Sequence, residues 1–218
     1  MDGLLAVANH GHATMPLDVL ASLTLLSIVP FLLVMSTSFV RIVVVLSLVR
    51  SALGASALPP NVVLSGLALV LTLVVMTPTL QQIGREAVQP YSQGTLSQSQ
   101  ALEKMAAPLR SFMLRQTRVS DIALFERVAR RANEPAAKTP LLVLVPAFVV
   151  GELRSAFAIG FALYLPFVAI DLAVAAMLMG LGMVMLSPPV VSLPVKLLLF
   201  VMVDGWALVC GGVAASFR

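Results

Sequence analysis

The chain has 218 residues, 59% of them hydrophobic and only 11% charged, with a mean hydropathy of +1.00. Soluble domains carry about a quarter of their residues as charges, so these values exclude a water-soluble globule, a disordered chain and a coiled coil, and leave an all-α, membrane-associated protein. The net charge of +4 is local, because residues 85–138 hold nine of the 14 basic residues and five of the ten acidic ones, and nucleic-acid binding does not follow from it.

Residues 1–18 read as a retained N-terminal tail. They lack Lys and Arg, whereas a secretory signal needs a basic start and a longer apolar run. His10 and His12 form an isolated H-x-H pair, and Cys210 stands alone in an apolar stretch. Neither a disulfide nor a metal cluster can be built from these, and no cofactor is expected.

The first apolar helical hairpin is expected over 19–84. An uncharged stretch, 19–40, continues through Arg41 to Arg50. As one helix of some 30 residues it would extend about 45 Å, more than a ~30 Å hydrocarbon core, so it must tilt, kink at Pro30 or leave the membrane. The break falls in GASALPP (54–60), where glycine stops one helix and Pro59 and Pro60 start the next. A second apolar helix follows over 62–80.

Residues 85–138 read as a small amphipathic helical insert. QPYSQGTLSQSQ (89–100) is a loop by composition. After it, Leu109, Phe112, Met113 and Gln116 share one helix face. Ser120 and Asp121 break the pattern, and a second helix buries Ile122, Phe125 and Val128 opposite its charges. The segment 133–140 is the linker.

The second apolar hairpin is expected over 139–218, from segments 141–150, 155–170 and 172–186 joined through Glu152, Arg154 and Asp171. Ser187, Pro188, Pro189 and Pro194 form its turn, and 197–217 returns, interrupted by Asp204. The two turns, LPPNVVL and SPPVVSL, are weakly similar. Met177, Met179, Met183 and Met185 crowd the approach to the second one.

Seven ionisable residues interrupt the apolar helices: Arg41, Arg50, Glu152, Arg154, Asp171, Lys196 and Asp204. A mid-membrane charge costs roughly 2.5–3.5 kcal/mol on insertion scales, so these side chains face protein or water. Glu152 and Arg154, two apart, point in different directions and are expected to pair with other helices or other subunits. One chain does not obviously supply those partners, which predicts a hetero-oligomer. Structural ion pairing is favoured over a conduction path. Asp171 and Asp204 raise the possibility of an intramembrane aspartyl protease, but neither sits in G-x-G-D, and no other catalytic motif is present. The chain is not expected to be an enzyme.

Three stretches carry a resemblance: TSFVRIVVVLSLVRSALGASALPPNVVLSGLAL (37–69), PLRSFMLRQT (108–117), and 144–206 with its PAF-x-x-x-EL, IGF, IDL, LP-x-KLLLF and DGW series. Together they resemble the FliP/SctR family, export-gate proteins of flagellar and virulence type III secretion systems. The resemblance implies a homo-pentamer assembled with FliQ-like and FliR-like subunits, beside FlhB-like and FlhA-like export proteins. Such a complex sits at the basal body in the bacterial inner membrane and passes unfolded secreted substrates. It also implies a methionine-rich gasket, which maps onto Met183, Val184 and Met185, with valine where relatives often carry methionine. The positive-inside rule would place the 85–138 insert in the cytoplasm, whereas the resemblance implies the periplasmic side, and the resemblance is followed. QPY and PLR-x-FML-x-QT favour a flagellar member. An injectisome subunit of SctR type is the alternative, and a small-solute transporter subunit a remoter one.

Overall fold

The computed structural model describes residues 27, 30–54, 58–130, 139–183 and 185–217. The tail with His10 and His12, Val184 and Arg218 therefore lie outside the described residues. The chain divides into two units, Met1–Val34 and Met35–Arg218. In the first, residues 30–34 are helical. The second contains seven helices among the described residues: α1 (Phe39–Leu53), α2 (Asn61–Ser92), α3 (Gln98–Gln116), α4 (Val119–Val128), α5 (Leu141–Gly180), α6 (Pro188–Met202) and α7 (Gly205–Ala215). No strand occurs among them. The all-α, apolar architecture expected from composition is what the chain adopts.

Helix α1 is the centre of the core. Val40, Ile42, Val45, Leu46, Val49, Ala52 and Leu53 are all buried, so it is covered on nearly every side. It packs chiefly on α5 and also meets α2, α6 and α7. The long helix expected to run into Arg50 is broken at residues 36–38, a run of three hydroxyl residues, Ser36, Thr37 and Ser38. Its C-terminus matches expectation: Gly54 takes φ 76°, and its N–H donates to the Ser51 carbonyl, a left-handed cap that glycine adopts without strain. Pro60 is the N-cap of α2.

Helix α2 presents one narrow buried stripe, Leu64, Ala68, Thr72, Met76 and Thr79, spaced by three or four residues as one face requires. The Thr72 hydroxyl donates back to the Ala68 carbonyl at 2.7 Å, so no polar group is stranded among apolar ones. The helix does not end near residue 84. It passes through a π-helical turn, Gly84–Val88, and runs on to Ser92. The loop expected over 89–100 shrinks accordingly, because α3 begins at Gln98 behind a capping box. Gln100 N–H donates to Ser97 Oγ (3.4 Å), and Ser97 N–H donates to Gln100 Oε1 (3.0 Å).

The insert packs through the face read from its sequence. Phe112 and Met113 are buried, with Leu109 partly so, in a second core with Ile122, Leu144, Ala147 and Phe148. The break between its helices lies at Thr117 and Arg118, not at Ser120 and Asp121. Asp121 is instead in the first turn of α4, buried together with Ile122 and Glu126, while Val128 is exposed. The buried face of α4 thus carries two carboxylates, because Arg154 and Thr139 are there to meet them.

The three segments expected between 141 and 186 form one 40-residue helix, α5. At 1.5 Å per residue it is about 60 Å long, twice a hydrocarbon core. Its buried residues cluster in the first half, including Leu144, Ala147, Phe148, Gly151, Glu152, Ala156 and Gly160. Beyond these, Phe161, Tyr164, Leu165, Leu172, Met177 and Met179 are exposed. The small residues Ala52, Ala156 and Gly160 are buried where α1 and α5 pack, and small side chains allow the close backbone approach on which helix pairs in lipid rely. Helices α6 and α7 meet at a 65° bend, where Asp204 adopts φ 50°, a conformation aspartate tolerates better than most side chains.

Candidate functional site

Six of the seven helix-borne charges find partners inside the chain, supplying what was not obvious from the sequence. The deepest cluster is centred on Arg41 of α1. Its Nε donates to Glu152 Oε2 at 2.9 Å, and its Nη2 donates to Glu152 Oε1. Nη2 also reaches Gln116 Oε1 at 3.3 Å, and Nη1 reaches both the carbonyl and the hydroxyl of Ser216 at 3.0 Å. These five bonds use the five donors of the guanidinium. The Arg41 carbon also lies 3.9 Å from the centroid of Phe217, a cation–π geometry, and Phe217 stacks on Phe112 at 6.4 Å. Glu152 is fully buried. One cationic side chain therefore ties α1 to α3, α5 and the residues after α7.

A second pair joins α4 to α5. Arg154 Nη1 and Nη2 donate to the two oxygens of Asp121, each at 2.9 Å, a bidentate fork. Here the arginine side chain is 43% exposed and the aspartate 5%. Glu152 and Arg154 thus pair with other helices and not with each other, as their spacing requires, and both partners belong to the same chain.

The third cluster clamps α5 to α6. Lys196 Nζ donates to Asp171 Oδ2, and Ser192 Oγ donates to Asp171 Oδ1 at 2.6 Å. Ser192 lies one turn before Lys196 on α6, so both address the same carboxylate. Lys196 also reaches the Ala52 carbonyl at the end of α1, at 3.4 Å. Arg50, at the end of α1, donates to Asn61 Oδ1 (2.6 Å) and to the Pro59 carbonyl (3.3 Å) across the first turn. Asp204 is the exception and lies exposed at the α6–α7 bend.

The loop between α5 and α6 carries the methionines. Gly182 takes φ 72°, a turn position suited to glycine. The Met183 N–H donates to the Leu178 carbonyl at 2.9 Å. Met183 is 45% exposed and Met185 entirely so; Val184 between them is outside the described residues. Pro188 and Pro189 occupy the first positions of α6, with Ser187 as N-cap, where proline's missing N–H costs nothing. The Asp171 clamp thus braces the two helices whose connection presents these thioethers. Among the described residues, no group of three or more His, Cys, Asp or Glu is placed to hold a metal ion. Sequence reasoning missed Ser192, Ser216, Phe217 and the pairing role of Asp121. Only Ser192 had a local signal, its i, i+4 spacing from Lys196.

The FliP family pattern matches residues 22–213. A protein of Pectobacterium carotovorum named flagellar biosynthetic protein FliP is 52% identical over 96% of this chain and 82% of its own length. Proteins of the same name from Bacillus subtilis and Aquifex aeolicus are 45% and 40% identical. They align with 89% and 96% of this chain, and with 89% of their own length in both cases.

Proposed function

The chain belongs to the FliP family, and on that premise we propose that it is a core pore-forming subunit of the flagellar type III protein export apparatus in the inner membrane. The observation that carries this reading is the family match across residues 22–213, joined to relatives whose printed names are flagellar. That naming favours the flagellar over the injectisome alternative. A solute carrier builds a midplane site from broken helices and polar groups, and here six of the seven helix-borne charges are already engaged in holding helices together. The chain is read as a secretion component, with no catalytic step of its own.

In this reading the protein crosses the membrane several times, with α2 and α5 as spans and the bent pair α6–α7 as a third. The insert lies on the periplasmic side. Several copies, five by analogy with the family, combine with FliQ-like and FliR-like subunits, and FlhB-like and FlhA-like proteins deliver unfolded substrates. The exposed Met183 and Met185, with Val184, converge from the copies to seal the closed pore. Thioethers on three soft torsions exclude ions and still deform around a threading polypeptide.

The test is a pair of variants in a motile host: Met183→Ala with Met185→Ala, and deletion of residues 182–186. Both assemblies persist, because the Asp171–Lys196 clamp and the α5–α6 packing lie outside the loop. Resting cells become leaky to small ions, the deletion more so. Wild-type permeability in an assembled deletion complex would place the barrier elsewhere.

A further inference from the structure

An open cleft of about 590 Å³ lies beside the first turn, between the ends of α1 and α2 and the pair α6–α7. Every side chain lining it is apolar, among them Leu58, Pro59, Leu67, Leu197, Phe200 and Trp206. Its volume is in the range of small-molecule sites. The far wall is rigid. Phe200 and Trp206 meet edge to face with centroids 5.2 Å apart and planes at 88°, and a Cβ on Gly205 would collide with the Phe200 ring.

A cation adjoins this cleft at Pro59. Pro59 lines the cleft, and its carbonyl accepts from Arg50 Nη1, which also donates to Asn61. Nε and Nη2 of Arg50 have no partner among the described residues. Asn61 is the first residue of a candidate span, so with that end of α2 at the bilayer surface Arg50 would stand among the lipid headgroups. Leu67, six residues further, is about 9 Å deeper along α2. Tryptophan, too, is enriched at that boundary. An apolar slot running inward from a half-satisfied guanidinium at a span's end has the chemistry of a phospholipid: acyl chain within, phosphate on the arginine. Asp204, exposed two residues before Trp206, disfavours an anion at the α6–α7 end and so sets the orientation.

We propose that this cleft is a binding site for one anionic phospholipid, its acyl chain between α2 and α6–α7 and its phosphate on Arg50. The proposal goes beyond the export reading and requires only that the chain be embedded in a bilayer.

Trp206 is the only tryptophan of the chain and lines the site, so it reports occupancy directly. The full chain is placed in phosphatidylcholine nanodiscs containing a small fraction of lipid brominated on its acyl chains, either phosphatidylglycerol or phosphatidylcholine. Brominated phosphatidylglycerol should quench Trp206 roughly fivefold more efficiently than the choline lipid at equal fraction, the factor carried by one basic residue at a charged headgroup. Arg50→Gln should bring the two to equality, and Arg50→Lys should keep the preference. Val201→Phe, which fills the cleft wall without touching the arginine, should reduce quenching by both lipids. Equal quenching of the unaltered chain by both lipids, the result also expected if another protein chain covers the cleft, overturns the proposal. So does a preference that survives Arg50→Gln.

Discussion

Glu152→Gln is the most informative single change, because it alters one charge and almost no volume. Glu152 is fully buried and takes two of the five Arg41 bonds. Glutamine keeps one acceptor oxygen but turns an NH2 group toward the other guanidinium donor, and it leaves the Arg41 charge uncompensated at 5% side-chain exposure. Breaking one side of a buried pair costs about 3–5 kcal/mol, a large part of the 5–15 kcal/mol that holds a typical domain together. The remaining partners, Gln116, Ser216 and the Phe217 ring, are neutral and cannot replace the lost anion. The variant should extract in lower yield and melt well below the unaltered chain, measured in detergent by Trp206 fluorescence. Arg41→Met combined with Glu152→Leu removes both charges and should recover most of the loss, since a buried pair is often no better than apolar residues of similar volume. If Glu152→Gln melts with the unaltered chain, or the double variant is worse than the single, the Arg41 cluster is not a buried ion pair and the reasoning fails.

Other substitutions should rank below it for stated reasons. Asp121→Asn strands Arg154, but that side chain is 43% exposed and water can solvate it, so the melting shift should correspond to about 1 kcal/mol or less. Gly160→Val should destabilise by about 1–3 kcal/mol, because the new Cβ would lie 3.0 Å from the Leu48 Cβ and α1 and α5 would have to separate; thermal melting and extraction yield both read this. Phe217→Ala removes a ring that covers Arg41 and stacks on Phe112, and should raise protease cleavage within residues 93–118, since it loosens the tie between the insert and the core. Asp171→Asn should weaken the α5–α6 clamp and make the 181–187 loop easier to cleave, while leaving the α4 contact with Arg154 intact.

The helices were legible where one local rule decided them. Gly54 and Pro60 bound the first turn, and the Leu109, Phe112, Met113 and Gln116 face is the one that packs. Pro188, Pro189 and Pro194, expected in a turn before a helix from 197, instead lie in α6, which opens at Pro188 because proline fits a helix's first turn. The capping box at Ser97 and Gln100 was equally local and shortens a loop that composition alone overextended. Other features depended on groups far away in sequence. Nothing near Asp121 indicates that Arg154, 33 residues later, will satisfy its carboxylate, so its charge read as a pattern break. Charges at Glu152, Arg154 and Asp171 likewise suggested three segments. A helix tolerates them without interruption when a cation or anion from another helix meets each one. The run 36–38 shows the converse: an uncharged stretch can break with no charge, glycine or proline to mark the place.

Internal pairing also changes what must drive assembly. If the helix-borne charges were unsatisfied in one chain, neighbouring subunits would be required to neutralise them. Arg41, Glu152, Arg154, Asp171 and Lys196 already meet opposite charges within the chain, so ionic need is a weak reason to associate. What remains open is apolar. The second half of α5 exposes Phe161, Leu165, Leu172, Met177 and Met179, and α2 exposes Val63, Leu69, Val70, Leu73 and Val74. In lipid such faces gain nothing from leaving water, so association there depends on close packing and on small residues that permit it. The α5 face continues directly into the methionine loop, so if copies of the chain packed along it, as proposed, their loops would come together. Under the proposed pore reading, surface that lipid alone could cover would become subunit interface at the place where that reading puts a seal. The buried charges hold α5 and α6 in place within the single chain, with no subunit contact required.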